Sequence, residues 1–200
     1  MDIEPVTLEG RHVRLEALAL DHLDALCRVG FDESIWRWMP YSALNEADMR
    51  RYIETALKQQ AAGWAVPFAT VKRSSGRVVG STRYMNIDKP NRRVEIGSTW
   101  IGVRWQRTAV NTEAKYLMLR HAFETLGCIR VEFKTDALNE KSRRALLRIG
   151  ARQEGVFRKH MLMPDGRVRD SVYFSIIDTE WPVIKTGLEN RLSQPYLSKT

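Results

Sequence analysis

Little in this sequence points to a disulfide framework, a metal or a membrane. Cysteine is scarce: Cys27 and Cys128 stand far apart in apolar settings, so both are expected as buried small hydrophobes. The four histidines, His12, His22, His121 and His160, stand at no ligand spacing to a cysteine, and no metal is expected. No apolar run approaches the roughly 20 residues needed to cross a bilayer. The start, Met1-Asp2-Ile3-Glu4-Pro5, is acidic and lacks the hydrophobic core of a secretory signal, so a cytoplasmic chain with no membrane partner is expected. Internal repeats, low-complexity tracts and linkers are missing too, which leaves one domain.

What is there suits a globular enzyme or binding domain. The chain of 200 residues, 44% apolar and 28% charged, is long enough to bury a core. A net charge of +8 invites a nucleic-acid reading. The basic residues are nevertheless spread out and often sit beside acids, as in Arg130-Val131-Glu132-Phe133-Lys134. The main clusters are Lys141/Arg143/Arg144/Arg148 and Arg152/Arg158/Lys159, with Arg167/Arg169 nearby. They suit a solvated face, or attraction of an anionic small molecule or an acidic or RNA-bound partner. Aromatic and basic residues do not interleave as a base-stacking platform requires, so direct nucleic-acid binding is not expected.

Periodicity gives an α/β order. Arg11 to Ala17 alternates as a strand, and Asp21 opens a helix carrying Leu23, Leu26 and Cys27. The aromatic run from Ile35 to Tyr41 reads as a loop or short turn. Asn45 begins a helix to about Gln60, with Met49, Tyr52, Ile53, Ala56 and Leu57 on one stripe. Three strands follow, 66–72, 77–87 and 93–103, joined by turn-forming segments. A helix from Asn111 is stopped by Gly127, and Cys128 to Thr135 alternates as a strand with one wet face. Asn139 caps a basic helix ended by Gly150, and a hairpin from Gly155 to Ile177 turns at Asp165-Gly166. The tail, 179–200, starts helical and then frays. Its apolar stripe of Trp181, Ile184, Leu188 and Leu192 suggests a homodimer.

Trp105 to Lys115 is the most informative stretch, because a strand, a short loop and a helix start meet there. Such a junction gathers unpaired N–H groups and partial positive charge, a seat for phosphate. An ordinary strand-to-helix connection is the alternative.

Three signatures in order resemble the GNAT N-acetyltransferase superfamily, and within it the ribosomal-protein N-terminal acetyltransferase branch. One is Gln106-x-x-Ala109-x-Asn111, set against the family's Gln/Arg-x-x-Gly-x-Gly/Ala. The second is Asp136-Ala137-Leu138-Asn139-Glu140-Lys141-Ser142, followed by Ile149-Gly150-Ala151. The third is Glu154-Gly155-Val156-Phe157-Arg158, followed by the Asp-Gly hairpin and Asp170-x-x-Tyr173-Phe174. The resemblance implies one GNAT-like domain over 1–178, with a mixed, mostly antiparallel twisted sheet of about seven strands flanked by helices. It also implies a splayed strand pair for the cofactor.

That cofactor is acetyl-coenzyme A. The resemblance places its diphosphate on Gln106, Arg107, Thr108, Ala109, Val110, Asn111 and Thr112. Its pantetheine arm is placed along Ile101, Gly102 and Val103, and its sulfur near Asn139 and Ser142. Alanine and asparagine stand where glycines are usual, so the loop is expected to be somewhat reshaped. The implied reaction is direct attack of an amine on the acetyl thioester, with a carboxylate or a water chain taking its proton. By position and chemistry Glu95 is the first choice of base and Asp170 the second. The alternative is that Glu95 is a surface acid on a half-exposed strand. The tyrosine that many members use as acid is replaced by Leu146, which leaves Ser142 for that role. Trp36, Trp38 and Tyr41 would wall the acceptor slot, or anchor their loop to the core. Asp170 would orient substrate or serve structurally. The acceptor is a peptide N-terminus of ribosomal-protein type, or alternatively a small amine such as an antibiotic, a polyamine or an amino acid. A third reading is a basic CoA- or RNA/ribosome-binding module without catalysis.

Overall fold

Eight strands alternate with helices in the computed structural model, which describes Met1 and residues 3–194. The strands are β1 (Leu8–Glu9), β2 (Val13–Ala17), β3 (Ala65–Lys72), β4 (Arg77–Asp88), β5 (Arg93–Ile101), β6 (Arg130–Asp136), β7 (Arg152–Leu162) and β8 (Val168–Ile177). They form one sheet in the order β1-β2-β3-β4-β5-β6-β8-β7. Every neighbouring pair is antiparallel except β5 with β6. This is the expected mixed sheet. The additional strand is β1, whose two residues are too few to show a period.

The helices are α1 (Leu23–Gly30), α2 (Glu33–Trp36), α3 (Glu46–Ala61), α4 (Ala109–Arg120), α5 (Glu140–Arg148) and α6 (Trp181–Ser193). The aromatic run expected as a loop contains α2, a single turn started by Asp32, whose Oδ1 accepts from the Ser34 N–H at 2.9 Å. Helix α3 is capped as its sequence requires, with Asn45 Oδ1 accepting from the Asp48 N–H at 2.9 Å. Helix α4 starts at Ala109, two residues before the expected Asn111, because Thr108 is the cap. Its last turn widens to a π-turn over His121–Thr125 before Gly127, whose φ of 65° breaks the run.

Two apolar clusters cover opposite faces of the sheet. One joins Val94, Ile96, Val131, Phe133, Val172 and Phe174 to α4, α5 and α6. The other joins Ala69 and Trp100 to α1, α2 and α3. Trp181, Leu188 and Leu192 on α6 are buried in the first cluster, and Ile184 packs against it. That stripe therefore packs into the chain's own core. The expected fraying of the tail falls largely on residues 195–200, outside the described residues.

Among the described residues, no helix covers the other face of β6 and β8. Glu132, Lys134 and Asp136 on β6 stand opposite Ser175, Tyr173 and Ser171 on β8, giving a polar surface beside the second cluster.

Candidate active site

Strands β5 and β6 pair only at Arg93↔Arg130, Val94↔Val131 and Glu95↔Glu132. Yet β5 runs on to Ile101 and β6 to Asp136, so the two part and leave a gap. A local cause lies in β5: Ser98 has a φ of 47°, and the β4–β5 register shifts between Ser81 and Arg83. Such a bulge bends the strand and raises its twist. Parted strands leave N–H and C=O groups facing the gap, where a ligand can meet them.

Not all of the expected backbone donors remain open. The Gly102 N–H donates to Val79 O at 2.8 Å, away from the gap. By alternation, the N–H and C=O of Ile101 face the gap. Its carbonyl accepts from Gln106 Nε2 at 2.9 Å, and Gln106 Oε1 in turn accepts from Lys141 Nζ on α5. Gln106 thus links the ends of the parted elements, a role that its place in the motif did not predict. A Cβ at Gly102 would lie 3.0 Å from the Trp105 ring and 3.1 Å from Val29 O, so glycine is needed where the chain leaves β5.

The start of α4 lies beside this end of the gap. Thr108 Oγ1 accepts from the Val110 N–H at 3.3 Å and donates to Trp105 O at 2.7 Å, fixing the entry turn. The Gln106 N–H donates to Val103 O at 3.2 Å. Helix geometry gives the N–H groups of Thr108, Ala109 and Asn111 no acceptor within the helix. The expected reshaping of this loop falls on Arg107. That residue takes the positive φ, at 62°, while Ala109 and Asn111 lie in the first helical turn. The missing glycines therefore cost nothing in backbone strain at those two positions. Ala109, Val110 and Thr112 are buried, and Asn111 has a buried Oδ1 with no hydrogen-bond partner. On α5, Asn139 Oδ1 accepts from the Ser142 N–H at 3.0 Å, so this asparagine is the cap of that helix.

Glu95 stands where the pairing of β5 with β6 ends. It is 3% exposed, Oε2 accepts from Asn86 Nδ2 at 2.8 Å, and Lys134 Nζ lies at 3.7 Å. Its Oε1 would lie 3.1 Å from a Cβ at Gly97, so that glycine makes room for the carboxylate. Glu95 is thus a buried carboxylate with one cation and one amide at the mouth of a backbone gap, and a carboxylate is a group able to accept a proton.

The aromatic residues divide. Trp36 is a core anchor: it is buried, its Nε1 donates to Gly30 O at 2.7 Å, and its ring packs on Tyr41, Tyr52 and Trp100. Trp38 is half-buried and reaches the β7–β8 hairpin. Arg167 lies over its ring at 5.4 Å, and Arg169 Nη1 donates to its carbonyl at 3.4 Å. The Tyr41 hydroxyl is buried with no hydrogen-bond partner. Asp170 Oδ1 accepts from the Lys159 N–H at 2.7 Å, and so it pins a bulge in β7 where Lys159 has a φ of 49°.

Several residues of this face carried no individual signal in the sequence. His160 is brought in by the β7 bulge and packs its ring 5.4 Å from Phe157 and 5.8 Å from Tyr173. Burial, then the charges of Lys134 and Arg169, hold its pKa below the ordinary histidine value. Arg83, on β4 opposite Gly97, is 4% exposed. Lys134 was legible only as part of the wet face of its strand.

The chain is similar to several known proteins. A family model described as an acetyltransferase (GNAT) domain matches residues 12–152. A GCN5-related N-acetyltransferase from Brucella melitensis is 35% identical, with a TM-score of 0.90 over 96% of this chain and 87% of that one. YdaF of Bacillus subtilis (strain 168), provisionally named a ribosomal N-acetyltransferase, is 35% identical over 106 residues, 53% of this chain and 57% of its own. Mycobacterium smegmatis RimJ, solved in complex with CoA-disulfide, shares the fold at 21% identity and a TM-score of 0.82, over 94% of this chain and 95% of that one.

Proposed function

From the premise that the chain belongs to the GNAT acetyltransferase family, we propose that it transfers the acetyl group of acetyl-coenzyme A to a primary amine. Attack is direct, and a peptide N-terminus is the leading acceptor. The observation that carries this reading is the parting of β5 and β6 after Glu95/Glu132, which opens a backbone slot between Glu95 and the start of α4. The family match, the CoA-bound relative and the name of YdaF support it.

The residues present suit such a ligand. Acetyl-coenzyme A, when bound, supplies an acetyl thioester. The open N–H groups at the start of α4 and the positive end of its dipole suit a diphosphate, with Arg107 adding charge. The buried, unpartnered Asn111 Oδ1 is ready to accept from a ligand donor. The Ile101 N–H facing the gap can hold an amide carbonyl, or an oxygen that gains charge during transfer. Glu95 takes the proton of the attacking amine. Ser142, in the first turn of α5, remains the candidate proton donor to the leaving sulfur. Leu146, where many relatives place a tyrosine, is buried in the core and has no proton to give.

Calorimetry with acetyl-coenzyme A, followed by thiol release with a panel of peptides and small amines, tests the reading. Saturable binding with thiol released only when an amine is present is expected. No heat and no thermal shift at millimolar cofactor would remove it.

A further inference from the structure

The face that holds Glu95 contains a cation that no carboxylate among the described residues neutralises. Arg83 is 4% exposed, and among the described residues it pairs with no carboxylate. Its Nη1 donates to the neutral Gln59 Oε1 at 3.0 Å, its guanidinium lies 5.0 Å over the Tyr52 ring, and its Nε has no partner. The Tyr41 ring packs 5.7 Å from that same Tyr52 ring, and its buried hydroxyl is likewise without a partner. A guanidinium stays charged at any pH the fold survives, and burying one without a counter-ion is costly. Two donors without acceptors, Arg83 Nε and the Tyr41 hydroxyl, thus lie against the one Tyr52 ring, and buried donors call for an acceptor.

The register ties this pair to the chemistry. Arg83 stands opposite Gly97, which has no side chain to screen it, and the Glu95 carboxylate leans over that glycine. The neighbouring strands add more positive charge than negative. Lys134 approaches Glu95 at 3.7 Å, while Arg167 and Arg169 share the single carboxylate of Asp136, at 2.7 Å and 4.0 Å. Cations that outnumber the carboxylates they share leave a local field that favours an anion.

Resting on the acetyl-transfer reading above, we propose that the acceptor amine bears an anionic group, a carboxylate or phosphate within a few bonds of its nitrogen. Arg83 and Tyr41 recognise that anion, while Glu95 faces the amine. Tyr41 donates its hydroxyl, Arg83 supplies the charge behind it, and Lys134 closes the other flank. A free amino acid and a peptide beginning with an acidic residue share this chemistry.

Matched pairs of acceptors test it by thiol release: peptides beginning with Asp against Asn, and free amino acids against their amides. The anionic member of at least one pair should have a kcat/KM higher by about tenfold or more, mainly through KM. Which pair responds identifies the source of the anion. Arg83→Met should draw that ratio towards one. If thermal melting shows that this variant does not fold, Tyr41→Phe should lower the ratio in the same direction. Equal rates within every pair, or a folded Arg83→Met that keeps the preference, would overturn the anion assignment and leave acetyl transfer standing. Absence of cofactor binding would instead bring down both.

Discussion

Lys115 Nζ, buried beneath α4, donates to the Thr99 hydroxyl at 2.6 Å and to Thr82 Oγ1 at 3.3 Å, and among the described residues it meets no carboxylate. Burial alone lowers its pKa from 10.5 to about 7. Between those values the unfolded chain holds a proton that the folded chain has released. Stability should therefore rise with pH from about 7 towards 10.5, by up to roughly 1.4 kcal/mol per pH unit, and this gain is lost as pH falls through the folded value. Lys115→Met should flatten the rise and stabilise the protein at pH 7 by roughly 1–3 kcal/mol. Urea denaturation at pH 7 and pH 9 measures both effects, and a variant with an unchanged pH slope would refute this account.

Glu113, two residues closer to the start of α4, serves structure. Its carboxylate accepts from the N–H groups of Arg11, His12 and Val13 at 2.9, 2.6 and 2.6 Å, tying the helix to the start of β2. Glu113→Ala should cost about 3 kcal/mol or more, because three backbone donors lose their acceptor at once. A melting temperature within one or two degrees of wild type would contradict that role.

Thr108 should matter to ligand as well as to fold. Loss of its cap in Thr108→Ala costs about 1 kcal/mol and loosens the donors expected to hold the diphosphate. Calorimetry should show a Kd for acetyl-coenzyme A raised by roughly fivefold, since about 1.4 kcal/mol corresponds to tenfold. An unaltered Kd would move the phosphate seat elsewhere.

Glu95→Gln keeps the shape of its side chain and the Asn86 contact on one oxygen, but removes the proton acceptor. The expected outcome is a fall in kcat of about a hundredfold or more with little change in cofactor affinity. Ser142→Ala should lower kcat less, because a thiolate leaves without full protonation at the same step. Should Glu95→Gln turn over normally, a water chain would have to replace it as base.

Element order was legible from alternation and caps. Thr108 was read only as part of the loop, yet its hydroxyl decides where α4 begins. Motif and position singled out the loop before α4 and Glu95, and the structure puts both at the gap between β5 and β6. Arg83 was not found, because one arginine in a strand looks the same whether its neighbours provide a carboxylate or leave it alone. His160 was missed because the β7 bulge that turns it inward has no marker in the sequence beyond an ordinary lysine.

The linear chain thus determined the class of fold and the family, since these follow from local hydrogen bonding, periodic burial and short motifs. Only the tertiary structure decided where β5 and β6 part, which side chains share a face with Glu95, and that the α6 stripe serves the chain's own core. The physical reason lies in register. A single irregular residue such as Ser98 reverses which side chains face each side of a strand, and pairing between distant segments, more than local preference, holds it there.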